Sequence, residues 1–199
     1  MRKPRTQPIH DGVLRRMVDA VEHVRKRMLK VARTLGAAGI PYAVVGGSAV
    51  AAWVATVDLA AVRSTQDVNV LLRRDDFEAA RAALASAGFV HRRSSGIDLF
   101  LDHAGSSARD AVHIVYASEL VRAGEPAANP DIAGATEFDR ARVLDLESLA
   151  RIKLAAFRRK DRVHLPDMNG AGLIDASRLD RLPEAPGERP RSLPSSPDA

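Results

Sequence analysis

The chain contains no cysteine, and this absence excludes several classes of structure and chemistry. Without cysteine among its 199 residues, it has no disulfide framework, no thiolate metal site and no cysteine nucleophile. It also lacks any run of about 18 uncharged apolar residues, so we expect no membrane span. The first residues, MRKPRTQPIHDG, lack the apolar segment of a signal peptide. We therefore expect a cytoplasmic protein.

Positive charge is concentrated near the N-terminus. Residues 1–35 hold ten Lys or Arg and three Asp or Glu, a net charge of +7. The whole chain has 30 basic and 25 acidic residues, so the remainder carries 20 against 22, a net charge of −2. A basic segment of this kind can attract RNA or an acidic protein, and it can equally be the solvated face of a helix.

A long helix is predicted from Asp11 to about Leu35, with Gly36 after its end. Its apolar residues recur at alternating intervals of three and four. These residues are Leu14, Met17, Val21, Val24, Met28, Val31 and Leu35. Such a heptad seam is typical of a helix that docks on the body of its own fold, and also of a homodimer contact. We expect docking.

Four apolar runs predict the strands of one small sheet. The runs are residues 40–45, 66–72, 96–102 and 111–117. Helices are predicted after the first two runs and at residues 146–159, so the expected fold class is α/β (α+β), a small mixed sheet flanked by helices with a C-terminal helical segment. We expect parallel pairing where helices connect strands, and an antiparallel hairpin between the last two runs.

Three regions follow from these patterns. Residues 1–35 are predicted as a basic helix packed on the body, 36–182 as the main domain, and 183–199 as a disordered tail that holds five of the eleven prolines. Within the main domain, residues 122–138 are predicted as a loop. Pro166 predicts a kink or a new helix start.

Gly46, Gly47 and Ser48 follow the first predicted strand and begin the next helix. Glycines let the backbone turn sharply and approach a ligand closely, and a helix N-terminus offers free N–H groups to a phosphate. Glycines also occur at strand-to-helix turns for geometry alone. The pattern is therefore consistent with a phosphate cradle but does not require one.

Asp67 and Asn69 lie two residues apart at the start of the second strand, so we expect their side chains on one face of the sheet. Two oxygen ligands at this spacing can hold Mg²⁺, which completes its coordination with substrate phosphates. A Gly-Ser turn beside a strand carboxylate is a layout typical of phosphoryl or nucleotidyl transfer.

The run VVGGSAVAAW followed by RSTQDVNVLL resembles the core motif of the nucleotidyltransferase superfamily: an apolar strand, Gly-Gly or Gly-Ser, a short helix and Asp-x-Asp. The later run LDLESLARIKLAAFRRKDRVHLPDM resembles the lysine-bearing helix of the minimal, AbiEii-like bacterial nucleotidyltransferases. The resemblance covers residues 36–176. It implies metal-dependent transfer of a nucleoside monophosphate from an NTP to RNA, protein or a small molecule, and a role in toxin–antitoxin or phage-defence systems.

The resemblance and the residue types assign expected roles. The nucleotide-binding set is Gly46, Gly47, Ser48, Arg63 and Lys153. The catalytic set is Asp67, Asn69 and Lys153, and the metal set for Mg²⁺ or Mn²⁺ is Asp67, Asn69 and His113. The supporting set is Asp98, Asp161, His164 and Asp167. Simpler structural roles stay open for three of them, because Lys153 can extend to water, His113 can be a paired strand histidine and Asp161 can cap a helix.

Two positions depart from the family pattern. Asn69 stands where the family usually has a second Asp, and His113 stands near the position of the third carboxylate, for which Asp98 is an alternative. Only Asp67 then contributes negative charge, so one metal ion delivered with the nucleotide fits better than two. If the reaction has been lost, the alternative is a catalytically degenerate nucleotide- or RNA-binding protein on the same fold.

Overall fold

The computed structural model describes residues 11–107, 110–120, 127–138, 140–156 and 161–174. Its helices are α1 (Asp11–Ala37), α2 (Gly46–Ala55), α3 (Phe77–Ser86), α4 (Leu146–Ala156) and α5 (Asp161–Gly170). Its strands are β1 (Ala43–Val45), β2 (Val68–Leu72), β3 (Val90–Ser94), β4 (Ile97–Leu101), β5 (Val112–Tyr116), β6 (Thr136–Phe138) and β7 (Ala141–Val143). Within these ranges, no helix combines the length and the hydrophobicity that crossing a membrane takes.

The strands form one mixed sheet in the order β3-β4-β5-β2-β1-β7-β6. This confirms the expected fold class, and the predicted antiparallel hairpin is present as β4 and β5. Parallel pairing occurs between β2 and β5 and between β1 and β7. The prediction of parallel pairing across α2 is wrong, because β1 and β2 are antiparallel. Helix α2 runs away from the end of β1, and residues 56–67 return the chain to that same end.

The two edge strands of the sheet, β3 and β6, were not predicted from the sequence. Strand β3 has the sequence VHRRS and is largely exposed, so it lacks the apolar alternation that signals a strand. Strand β6 lies inside residues 122–138, which were predicted as a loop, and it has three residues. Both strands pair along one side only, in short hairpins of β3 with β4 and of β6 with β7, so backbone hydrogen bonds to the neighbouring strand define them more than their side-chain pattern does.

Helix α1 packs through its C-terminal half. Val31 and Leu35 are buried there, whereas Val18 and Val21 in the first half are 67% and 50% exposed. The helix continues through Gly36 and ends at Ala37, two residues beyond the predicted end. Among the seam residues whose side chains the structure describes, the buried ones lie where α1 packs over the sheet and α3. A homodimer contact through the exposed part stays a prediction.

Helices α4 and α5 follow β7 and cover the region beside α2. Helix α5 already begins at Asp161 and runs through Pro166, so the prediction of a new helix start at that proline is wrong. Proline at this sixth position removes one backbone N–H bond and crowds only the carbonyl four residues earlier, which a short helix near its start tolerates. The predicted disordered tail, 183–199, lies outside the described residues.

Candidate active site

The turn from β1 into α2 requires glycine at both positions. Gly46 has a φ of +72°, a backbone conformation that favours glycine, and a Cβ there would lie 2.8 Å from Nδ2 of Asn69. A Cβ on Gly47 would lie 2.9 Å from Oγ1 of Thr65. The two glycines therefore let the first turn of α2 lie directly against the side chains that flank β2.

Asp67 lies next to this turn. Its Oδ1 accepts a hydrogen bond from Oγ1 of Thr65 at 3.0 Å, and its Oδ2 accepts one from Nδ2 of Asn69 at 3.4 Å. Oγ of Ser48, which is buried, donates to the backbone oxygen of Asp67 at 3.5 Å. The structure thus brings the Gly-Gly-Ser turn and the Asp-x-Asn pair into contact.

The strand register places His113 beside Asn69. These two residues are cross-strand partners between β5 and β2, so their side chains share one face of the sheet, which we call the site face. Val45, the last residue of β1, pairs with Asn69 on its other side. His113 is half-buried. The three residues of the expected metal set therefore lie on one face, next to the start of α2.

Asp98 lies on the opposite face of the sheet. The partner of His113 on β4 is Leu99, and adjacent residues of a strand point to opposite faces. Asp98 is 2% exposed, and it accepts hydrogen bonds from Tyr116 Oη at 2.8 Å and from His91 Nε2 at 2.9 Å. The structure therefore separates this candidate third carboxylate from Asp67.

The charge state of the Asp98 cluster follows from these bonds. Burial raises the pKa of Asp98, but the hydrogen bonds from Tyr116 and His91 and the charge of Arg93 more than offset it, so the pKa lies below its ordinary value. Burial and the bond to Asp98 raise the pKa of Tyr116. His91 and Tyr116 were not singled out from the sequence, because only the sheet register shows that they face Asp98.

Lys153 is buried at 3% exposure on α4, and its ammonium group is bound on two sides. Nζ donates to Oδ1 of Asp161 at 3.2 Å and lies 2.8 Å from Nδ1 of His164. Both partners belong to the start of α5. Cε1 of His164 lies 3.5 Å from the position that a Cβ on Gly47 would take. The structure therefore brings Lys153 together with two residues of the supporting set, Asp161 and His164, and places His164 next to the glycine turn.

Arg63 and Asp167 form an ion pair, with Nε and Oδ1 2.9 Å apart. The Arg63 side chain is 61% exposed, whereas that of Asp167 is 12% exposed. They belong to the rim of a small pocket between α2, the segment before β2, and α5. The pocket is lined by Gly47, Val50, Ala51, Val54, Ala61, Arg63, Ser64, Thr65, His164 and Asp167. Its wall on α2 is apolar and its opposite side is polar.

Ligand capacity for a metal ion is low among the described residues. No group of three or more His, Asp or Glu side chains there has the arrangement of a metal site. Asp67 is the single carboxylate of the expected metal set, and the N–H of Asn69 points at it. The arrangement can complete the coordination of a cation that arrives with other oxygen ligands.

Comparison with known proteins identifies the fold. No protein-family model and no curated protein matches the chain. Among solved structures, the antibiotic-resistance factor ANT(2'')-Ia is similar with a TM-score of 0.54 and 13% identity, over 82% of this chain and 88% of that one. An antigenic nucleotidyltransferase-like protein from Paracoccidioides brasiliensis is similar with a TM-score of 0.51 and 15% identity, over 84% and 80%.

A candidate nucleotidyltransferase from H. pylori is similar with a TM-score of 0.50 and 12% identity, over 82% of this chain and 74% of that one. These identities are too low to carry over individual residues, so the likeness concerns the path of the chain. The chain has the nucleotidyltransferase-like fold.

Proposed function

We propose that the protein is a nucleotidyltransferase that moves a nucleoside monophosphate from an NTP to an acceptor hydroxyl. The observation that carries this proposal is the contact between the glycine turn and Asp67 with Asn69, on a fold shared with nucleotidyltransferases. In this reaction the acceptor oxygen bonds to the α-phosphorus, and the bond to pyrophosphate breaks.

The phosphates of the NTP would lie at the start of α2. The first N–H groups of a helix have no partner within the helix, and the aligned peptide dipoles favour negative charge at this end. Gly46 and Gly47 let this first turn lie directly against Asn69 and Thr65, next to the expected metal ligands. Arg63 is exposed enough to turn from Asp167 toward a phosphate, and Lys153 supplies a buried positive charge beside the turn.

The donor set fits one Mg²⁺ that is shared with the nucleotide. Asp67 and the amide oxygen of Asn69 are oxygen ligands on one face, and Mg²⁺ commonly uses one or two carboxylates together with substrate phosphates and water. Mn²⁺ would accept His113 as a further ligand more readily. When bound, such an ion neutralises charge that develops on the transferred phosphoryl group.

A second candidate function is binding without catalysis. Asn69 offers no charge where a second carboxylate would hold metal, and its amide donates to Asp67. A chain with this fold and a single site-face carboxylate can retain nucleotide or RNA while having lost the transfer step. The two functions differ in whether a labelled product forms.

The acceptor and the cellular role rest on charge and on the sequence resemblance. Exposed basic residues on α1, such as Arg15, Arg16 and Arg33, favour RNA or an acidic protein as acceptor or partner. A homodimer through the exposed part of the α1 seam is compatible with this surface. The AbiEii-like resemblance favours a cytoplasmic toxin–antitoxin or defence protein.

The test is incubation with each NTP carrying ³²P at the α-phosphate, with Mg²⁺ or Mn²⁺ and with total cell RNA or protein. We expect label in one acceptor class, and we expect Asp67→Asn to abolish it. The matched control is Asp75→Asn, which removes an exposed carboxylate just past the other end of β2. Equal labelling by Asp67→Asn and wild type would contradict the proposal.

Asn69→Asp separates the two functions. It places a second carboxylate beside Asp67, so it should raise transfer if the enzyme is active with a weakened metal site. Calorimetric binding of an NTP without any labelled product, in both wild type and Asn69→Asp, would support the binding protein instead.

A further inference from the structure

The protonation pattern of His164 follows from its contact with Lys153. The ammonium Nζ lies 2.8 Å from Nδ1 of His164, and an ammonium group can only donate hydrogen bonds. Nδ1 must therefore accept, and the neutral ring carries its proton on Nε2. Asp161 accepts from the same ammonium and balances its charge. The buried pair thus holds the ring in one tautomer.

The ring also has a defined place. It lines the pocket beside α2 together with Thr65, and Cε1 faces Gly47. Cε1 is bonded to both ring nitrogens, and Nδ1 is turned toward Lys153. Nε2 therefore lies on the pocket side, close to the first turn of α2 where the proposed phosphate site begins.

We propose that His164 contacts the triphosphate directly through its Nε2–H, and that buried Lys153 acts as a positioning residue that fixes the His164 tautomer. This inference rests on the proposed phosphate site at α2. It changes the role expected for Lys153, whose ammonium is engaged by Asp161 and His164. Lys153 then determines which ring nitrogen of His164 carries the proton and donates a hydrogen bond.

The described charged groups around the ring lie on three segments of the chain. Lys153 faces it from α4, Asp161 and Asp167 belong to its own helix, and Arg63 faces the same pocket from the segment before β2. Helix α2 contributes the uncharged Gly47. Because the ammonium donates to Nδ1, a proton on Nδ1 would point directly at the ammonium hydrogens. The contact therefore keeps Nδ1 as an acceptor and leaves the ring proton on Nε2.

The first test reads the tautomer without any nucleotide. Two-dimensional ¹H–¹⁵N spectra of the histidine rings at neutral pH should show His164 as the Nε2–H form. In the double variant Lys153→Met, Asp161→Asn, which removes both charges of the buried pair, this fixed tautomer should give way to a mixture of the Nε2–H and Nδ1–H forms. A His164 ring that carries its proton on Nδ1 in the wild type would overturn the inference.

The second test measures binding of inorganic tripolyphosphate by calorimetry. His164→Leu should weaken binding by about tenfold or more, because a hydrogen bond to a charged group is lost, and His164→Gln should restore part of it through an amide donor. His23→Leu, an exposed histidine on α1, is the control. Equal affinity of His164→Leu and wild type, or no binding by the wild type, would overturn the phosphate contact.

The two tests separate this inference from the proposed reaction. Wild-type protein that binds tripolyphosphate through His164 but transfers no labelled nucleotide would refute the enzyme and leave the assignment of His164 in place. Labelled transfer together with unchanged tripolyphosphate binding in His164→Leu would refute the assignment and leave the enzyme. Folding of each variant is checked by circular dichroism and urea unfolding.

Discussion

Replacing Gly46 with alanine should destabilise the protein for two separate reasons. At a φ of +72°, a residue with a Cβ costs about 1–2 kcal/mol. The new Cβ would also lie 2.8 Å from Nδ2 and 3.3 Å from Cβ of Asn69. Rotation of the asparagine can move Nδ2 but not Cβ, which is held by β2, so part of the contact stays and crowding adds about 1–3 kcal/mol. We expect Gly46→Ala to lower the free energy of unfolding by about 2–5 kcal/mol.

Substitutions at three other glycines measure the backbone cost and the crowding cost separately. Gly39 has a φ of +67° and nothing within 4 Å of an added Cβ, so Gly39→Ala should cost about 1–2 kcal/mol from the backbone alone. Gly47 has no positive φ, but its Cβ would meet Thr65 Oγ1 at 2.9 Å, so Gly47→Ala should cost about 1–3 kcal/mol from crowding alone. Gly36 has neither problem and lies within α1, so Gly36→Ala should stabilise by about 0.5–1 kcal/mol.

The assay is equilibrium unfolding in urea, followed by circular dichroism and by the fluorescence of Trp53, the one tryptophan of the chain. The cost of Gly46→Ala should be close to the sum of the costs of Gly39→Ala and Gly47→Ala. A cost equal to that of Gly39→Ala would show that Asn69 does not press on the turn. Stabilisation by Gly46→Ala, as expected for Gly36→Ala, would refute the whole reasoning.

Three further changes test other parts of the structure. Asp98→Asn should cost about 1–3 kcal/mol at neutral pH, because a buried carboxylate that accepts two hydrogen bonds is lost. The folded-state pKa of Asp98 lies below its ordinary value of 3.8, so this contribution is complete above that value and disappears as the pH falls below it; urea unfolding should show the variant and wild type converging in acid. Trp53→Phe should cost about 1–2 kcal/mol, measured by circular dichroism, because the indole N–H that donates to the Leu144 oxygen at 2.9 Å is removed. A double-mutant cycle of Arg27→Met and Asp102→Asn should give a coupling energy of about 0.5–2 kcal/mol for this partly buried ion pair, and additive costs would contradict it.

Sequence predicted the relation between Asp67 and Asn69 because that relation is local. Alternation along a strand places residues two apart on one face, and the two side chains are hydrogen-bonded in the structure. The contact with Gly46 followed in part from the same logic, since the glycine turn ends the neighbouring strand. These steps needed only the period of a strand and the geometry of a turn.

The pairing of elements could not be predicted in the same way. Strands β1 and β2 are antiparallel because the chain returns along residues 56–67, and nothing in those residues signals the direction of return. The partners of Lys153 were named only as a general supporting group, because its bonds to Asp161 and His164 depend on how α5 packs beside α4. Contacts between elements are set by packing of the whole core, whereas contacts within an element are set by its period.

The face of the sheet on which Asp98 lies could not be predicted from strand alternation alone. As a carboxylate on the strand next to His113, it was a chemically reasonable third ligand, and its position on β4 was predicted correctly. Whether it faces the site depends on the register of β4 against β5, and a shift by one residue reverses the face of every side chain. Leu99 pairs with His113, so Asp98 turns to Tyr116 on the other side. The site face therefore keeps a single carboxylate of the expected set, and any reaction there depends on charge that the nucleotide and its cation bring.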